Sequence, residues 1–246
     1  MEQHEKLTFV KSVNKPLVRV APPTKFTKAS DKIRLEIENS IKSATLLPGD
    51  PIDEAELASQ YKVSRTPIRE ALIQLQAQGM LTSLPRGGMV VAKMDLQQLL
   101  SLWELLAELE GVAVRLACQR MTPEERNGIA MHHERSLKVA EADDIAGWQE
   151  SNLRFHELIY RASRNPYLRQ EVLRMRARTG YYRQHAFGAL GQIRTSFEPH
   201  GQIVRAFNNN DGEAASIAML AHMRPASDAQ GLTDFIVNLP KDVLAR

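Results

Sequence analysis

Apolar residues at helical spacing begin at Ser30, where Ile33, Ile37 and Ile41 line one face of a helix over about 30–44. The run Leu46-Leu47-Pro48-Gly49-Asp50 then turns the chain. Asp53, with Glu56 three residues on, has the form of a capping box and opens a second helix over about 53–60. Ser64 is a good N-cap and Pro67 falls in the first turn, where a missing amide donor costs little, so a third helix is predicted over 65–78. The period then changes. Residues 80–84 and 89–92 flank Pro85-Arg86-Gly87-Gly88, which reads as a hairpin with a glycine-rich tip. Three helices followed by a two-stranded wing predict a winged helix-turn-helix over residues 28–93. Past Lys93 the helical period resumes and predicts six amphipathic helices, over 95–119, 122–141, 145–163, 166–188, 193–209 and 212–232. Thr122-Pro123-Glu124-Glu125 supplies an N-cap, a first-position proline and a capping glutamate, while Asn165-Pro166 and the stretch 208–212 mark further breaks. The expected fold class is mainly α: the winged helix, then an all-α bundle over 94–235. Residues 1–27 are expected to form a basic arm, and 236–246 a tail.

Composition fits this division. The chain has 246 residues, 43% hydrophobic and 25% charged, enough apolar material for two cores. No apolar run approaches the ~20 residues that cross a bilayer. Cys118 is the single cysteine, and no apolar leader opens the chain, so a reducing cytoplasm and no membrane are expected. The formal charge of +3 is unevenly spread. Residues 1–28 hold six Lys/Arg against two Glu, a net +4; 29–93 hold eight of each sign; the remainder carries −1. A basic arm can follow a phosphate backbone or simply be a solvated tail.

Arg65 and Arg69 are four residues apart on the third helix and project from one face. An arginine fork bonds guanine O6 and N7 in the major groove, and Ser64 and Thr66 at the helix start can hold phosphates. The alternative is a solvated face on which these arginines pair with Glu70 or other acids. The wing, with Arg86 at its tip and Gly87 able to approach the sugar-phosphate chain, favours DNA. The run Leu47-x-Gly49-x-x-Ile52-x-Glu54-x-x-Leu57-Ala58, then Val63-Ser64-Arg65-Thr66-Pro67-Ile68-Arg69-Glu70-Ala71-Leu72, then Arg86-Gly87-Gly88 resembles the GntR winged-helix domain. That resemblance implies DNA contacts by Arg65, Thr66, Arg69 and Gly87. Ala55 stands where some members carry a further DNA-contacting arginine. A homodimer on a pseudo-palindromic double-stranded operator is the expected unit.

Of seven histidines, His4, His132, His133 and His185 lack a companion at ligand-like spacing and are assigned to surface or core. His156 shares a helix face with residue 152, and His200 and His222 sit on two later helices. Imidazoles from neighbouring helices suit zinc, nickel and similar ions. The segments Phe155-His156-x-x-Ile159, Ala162-Ser163-x-Asn165-x-x-Leu168, His200-x-x-Ile203-x-x-Ala206 and Asp211-x-x-Ala214-Ala215-x-x-Ala218-Met219-x-x-His222 resemble the FCD sensor domain of the FadR branch of that family. There an Asp and three His bind a divalent metal beside a carboxylate effector; the matching positions are Asn152, His156, His200 and His222. Asn152 has lost the aspartate's charge, and Leu106 stands where many members carry an arginine. Both departures favour a neutral, larger or more apolar ligand over a simple carboxylic acid. Leu99, Leu102, Trp103, Leu106 and Leu109 fit a packing stripe. Arg174, Arg176, Arg178 and Arg183, with Tyr181 and Tyr182, suit either an effector pocket or a solvated face.

The expected function is a ligand-responsive transcriptional regulator, a repressor rather than an activator, whose effector shifts the placement of two winged helices through the 93–95 junction. A hydrolytic metalloenzyme is disfavoured because no general base or activated nucleophile accompanies the histidines. A nonspecific architectural DNA protein would not need a sensor domain.

Overall fold

The computed structural model describes residues 28–85, 87–188 and 193–224, and 233, 235–237, 239, 242, 244 and 245 near the C-terminus. The arm at 1–27 therefore lies outside the described residues. Helix α1 (Ala29–Lys42) buries Ile33, Ile37 and Ile41, the four-residue stripe. It packs with α2 (Glu54–Tyr61) and α3 (Arg65–Ala77) around Ile68, Ala71, Leu72 and Leu75. The Asp53 carboxylate accepts from the Ala55 and Glu56 amides and caps α2. Strands β2 (Leu81–Ser83) and β3 (Met89–Val91) form the antiparallel wing, with Leu81 opposite Val91 and Ser83 opposite Met89.

One difference concerns the sheet. A third strand, β1 (Pro51–Ile52), adds to the free edge of β3, giving the order β1-β3-β2. Two residues carry no alternation to read, and Pro51 lacks the amide that an interior strand would need, so β1 arises from tertiary pairing at an edge.

The second unit comprises α4 (Leu96–Arg120), α5 (Pro123–Glu141), α6 (Ile145–Ala162), α7 (Pro166–Gly188), α8 (Ile193–Asn208) and α9 (Gly212–Met223). Reciprocal capping boxes open α4 at Asp95 and α5 at Thr122. Leu106, Val114, Phe155, Ile159, Val172, Ile203, Phe207 and Met219 build the common core. Gly111 lets α9 close on α4: a Cβ there would lie 3.1 Å from the Ser216 hydroxyl and 3.3 Å from Leu220. The last helix, expected to run to 232, stops at Met223. Arg224 is extended at φ −64°, ψ 136° because Pro225 excludes the helical conformation from the residue before it.

The two units touch beyond their covalent junction. Ala177 of α7 belongs to the winged-helix core, and α7 lies along α1. The segment expected as a tail also reaches the junction. Leu239, together with Phe235 just before that segment, packs with Leu99, Trp103, Tyr181 and Tyr182, Leu244 bridges Met94 in parallel, and the Ala245 amide donates to the Met94 carbonyl.

Candidate DNA-reading face and metal centre

Helix α3 is divided by its own sequence. Ile68, Ala71, Leu72 and Leu75 face inward, leaving Ser64, Arg65, Thr66 and Arg69 exposed together at its N-terminal end. Ser64 occupies the N-cap position, but its hydroxyl makes no cap hydrogen bond. Arg69 Nε donates to Glu54 Oε2 of α2 at 2.9 Å, so the acid that engages it is Glu54 rather than the neighbouring Glu70. Ile73, one turn after Arg69, is 59% exposed, an apolar side chain on the same face that the sequence reading did not single out. The wing tip closes through the Gly87 amide on the Leu84 carbonyl and the Leu84 amide on the Gly88 carbonyl, with Gly87 at φ +93°. Arg86 lies outside the described residues.

Inside the bundle, α6, α8 and α9 bring His156, His200 and His222 together. His200 Nε2 lies 3.2 Å from His222 Nε2, which lies 3.3 Å from His156 Nε2. Two imidazole nitrogens on one tetrahedral ion, each ~2.0–2.1 Å from it, stand about 3.3 Å apart. Two of the three separations match that value, and all three ligand atoms lie within 4.8 Å of one another. Asn152, one turn before His156, holds its Oδ1 buried without a hydrogen-bond partner among the described residues. A buried orphan carbonyl oxygen is costly, and a cation would satisfy it. The three clustered imidazoles have the donor chemistry of a divalent-metal site, and Asn152 sits one turn from His156 on the same helix. Pro199 removes one ladder amide from α8 immediately before His200.

The histidines are held from behind. His156 Nδ1 lies 2.8 Å from Glu110 Oε2, both side chains fully buried, an arrangement that fixes the ring with Nε2 toward His222. Arg176 of α7 grips the same carboxylate, its Nε donating at 2.7 Å and its Nη2 at 3.0 Å. Burial alone would raise the Glu110 carboxyl, but the Arg176 guanidinium and His156 together hold it well below the ordinary range. His200 is also pushed down, which for a base favours the neutral form: burial, then the neighbouring His222 and His156, hold it far below the usual histidine range. Phe155 stacks on His200 with ring centres 4.1 Å apart, and Trp148 lies parallel at 5.8 Å. A separate cleft of about 430 Å³ between α5 and α6 is lined by residues including His132, Arg135, Arg154 and Arg161 and by none of the four candidate ligands.

Glu110 was not among the sequence candidates, and Arg176 stood only in the arginine run read as either an effector pocket or a solvated face. Glu110 looks like Glu104 and Glu108 on the same helix, and only its place among Leu106, Ala107, Gly111, Ala113 and Val114 on the inward stripe marks it. Of the α7 arginines, Arg176 is buried on Glu110, Arg174 stands 3.6 Å from Glu171 at the surface, and Arg178 is half-buried. The side chains of Arg183 and His185 lie outside the described residues, as does His4. His132 contacts the Ser151 carbonyl at 2.9 Å, and His133 stacks on Phe197 with centres 4.2 Å apart. Leu106 is wholly buried in the apolar core.

Comparison with known proteins gives two family matches: bacterial regulatory proteins of the gntR family over residues 29–91, and the FCD domain over 101–225. The Nta operon transcriptional regulator of Aminobacter aminovorans is 34% identical over 183 residues, covering 74% of this chain and 84% of its own. The HTH-type transcriptional repressor RspR of Escherichia coli is 22% identical over 193 residues, covering 78% and 85%. Among solved structures, E. coli McbR/YncC superposes with a TM-score of 0.72 at 22% identity, over 86% of this chain and 99% of that one.

Proposed function

From the premise that this chain belongs to the gntR family of bacterial transcriptional regulators and carries an FCD domain, we propose that it is a metal-loaded, effector-responsive repressor. It is a regulator and not an enzyme. It binds a pseudo-palindromic operator as a homodimer, in the compartment that holds the DNA, the cytoplasm. No helix among the described residues is long and apolar enough to cross a membrane. Arg65 and Arg69 read base edges, Ser64, Thr66, Arg86 and Gly87 hold the backbone, and Ile73 offers apolar contact to a thymine methyl. Arg69 leaves Glu54 to do so.

Asn152, His156, His200 and His222 hold a zinc- or nickel-class ion, which organises the sensor core and offers a coordination position to an effector. The observation that carries this is the convergence of three imidazole Nε2 atoms, with contacts of 3.2 and 3.3 Å, and it is supported by the orphaned Oδ1 of Asn152 one helical turn from His156. All four ligands are neutral, and the Glu110 charge is matched by Arg176, so a doubly charged ion here calls for an anionic donor. The aromatic rings of Trp148 and Phe155 around His200 suit an apolar body. The effector is therefore a carboxylate on a larger apolar frame.

The test is the metal content of protein purified without chelator or added metal, wild type against His200→Ala. Near-stoichiometric zinc or nickel in the wild type, lost in the variant, is expected. Absence from both, with no uptake on titration, removes the metal from the proposal. Selection of duplexes from a random pool should yield inverted repeats, and a single unrepeated half-site would contradict the dimer.

A further inference from the structure

Three adjacent residues of α7 face two different places. Arg176 is buried against Glu110, which touches His156 of the candidate centre. Ala177 is 3% exposed and packs within the winged-helix core with Ile41, Leu75 and Met80. Arg178 is pressed against Gly79, the residue that ends the α3 turn: a Cβ built there would lie 3.2 Å from both the guanidinium carbon and Nε of Arg178. Gly79 has φ +72°, and its amide closes on the Gln76 carbonyl. Arg178 Nε is buried without a hydrogen-bond partner among the described residues, and burial depresses the guanidinium's affinity for its proton.

We infer that α7 is the transmission element of this regulator, carrying the state of the histidine cluster through Glu110 and Arg176 to Arg178 and the C-terminal end of the recognition helix. The inference rests on the metal reading of that cluster. The argument is mechanical. Arg176 donates twice to a carboxylate that cannot move independently of it, because both partners are buried in a close-packed interior. Rotation or translation of Glu110 therefore drags α7 with it. A helix is stiff over two residues, so residue 178 moves with residue 176. Arg178 bears on the carbonyl end of α3, where the helix dipole is negative, and its cation is favoured there even without a formal acceptor. Gly79 allows the approach, since any side chain at that position would hold Arg178 away. This route runs beside the covalent 93–95 junction, so a flexible linker at the junction leaves it intact.

The experiment compares hydrogen exchange of full-length wild type and Arg178→Ala, each chelator-treated and then given one equivalent of zinc alone. Arg178 is half-buried and not among the candidate ligands, so the variant should fold. In the wild type, zinc should slow exchange around 153–160, 200–206 and 215–223 and also change it at 74–81. In Arg178→Ala the first response should remain while that at 74–81 falls at least several-fold. A wild type that responds at the cluster but not at 74–81, or a variant that keeps the full response at 74–81, overturns the inference while sparing the metal reading. No response to zinc at the cluster in either protein overturns the metal reading, and the inference with it.

Discussion

Replacing Arg176 by Met removes two charge-assisted hydrogen bonds from Glu110 and leaves a carboxylate with no exposed surface facing only the His156 imidazole. Breaking a buried pair in this way costs about 3–5 kcal/mol. The protein can limit the loss by protonating Glu110. From the ordinary carboxyl value of 4.5, taking up a proton at pH 7.5 costs about 4 kcal/mol, at roughly 1.4 kcal/mol per pH unit. That ceiling falls to about 2 kcal/mol at pH 6. The expectation is thus a deficit relative to wild type that grows with pH. A carboxyl whose folded value is raised binds more protons folded than unfolded, so stability is present at low pH and lost as pH rises. The double variant Glu110→Leu/Arg176→Met removes both charges and should recover most of the loss, leaving a coupling of about 3 kcal/mol between the two sites. Urea denaturation followed by circular dichroism at pH 6.0, 7.0 and 8.0 measures all four proteins of the cycle. A single-variant cost below about 1 kcal/mol, a deficit that ignores pH, or losses that add in the double variant would refute the reasoning.

Other outcomes follow from the same geometry. Chelator-treated wild type should lose stability as pH is lowered from 7.5 to 5.5: unfolded His200 takes a proton near about 6.5 while the buried ring does not, so stability is present above that value and declines below it, as a melting series in matched buffers would show. A melting temperature flat across that range would argue against a neutral, buried His200. Gly79→Ala should cost about 1–2 kcal/mol, from a left-handed backbone and the displaced Arg178, and adding Arg178→Ala should return part of it; an unchanged melting temperature contradicts the close contact. Arg65→Ala should weaken binding to a selected duplex roughly tenfold or more while sparing scrambled DNA at fixed salt, and an equal loss on both would assign Arg65 to phosphate rather than bases. On the proposed reading, Asn152→Asp adds a negative ligand and should tighten zinc in competition with a chelating dye; weaker binding would place Asn152 outside the coordination sphere.

What the sequence made legible was local. The stripe of Ile33, Ile37 and Ile41, the box at Thr122 and Glu125, and the hairpin around residues 85–88 each involve residues close along the chain, and the structure has a helix, a reciprocal cap and a wing at those places. What escaped was set by partners far away. Strand β1 exists because β3 has a free edge, and Leu239 is buried because Trp103 and Tyr182 lie beneath it. The overrun of the last helix was avoidable, since Pro225 stood in the sequence. The histidines divide in the same way. His156 and residue 152 share a face by period alone, whereas the approach of His200 and His222 depends on how α8 and α9 cross α6.

Charge is where the sequence reading and the packed structure part most usefully. Asn152 for aspartate and Leu106 for arginine look, along the chain, like two steps toward an apolar pocket. Position 106 is sealed in the core among apolar side chains, so the missing arginine leaves no hole facing a ligand. Meanwhile α7 brings a buried cation to the centre from a different helix, and that cation is fully engaged by Glu110. The Glu110 and Arg176 charges offset each other, so that on the proposed metal reading the ligands are three imidazoles and an amide, with no carboxylate among them. On that reading, an asparagine in place of aspartate would leave a bound metal in greater need of an anionic donor, while a leucine in place of arginine would take away a second grip on that anion. On the proposed reading, an effector that satisfies both conditions would bind the ion through its acidic group and take the rest of its affinity from Trp148, Phe155 and their aromatic neighbours.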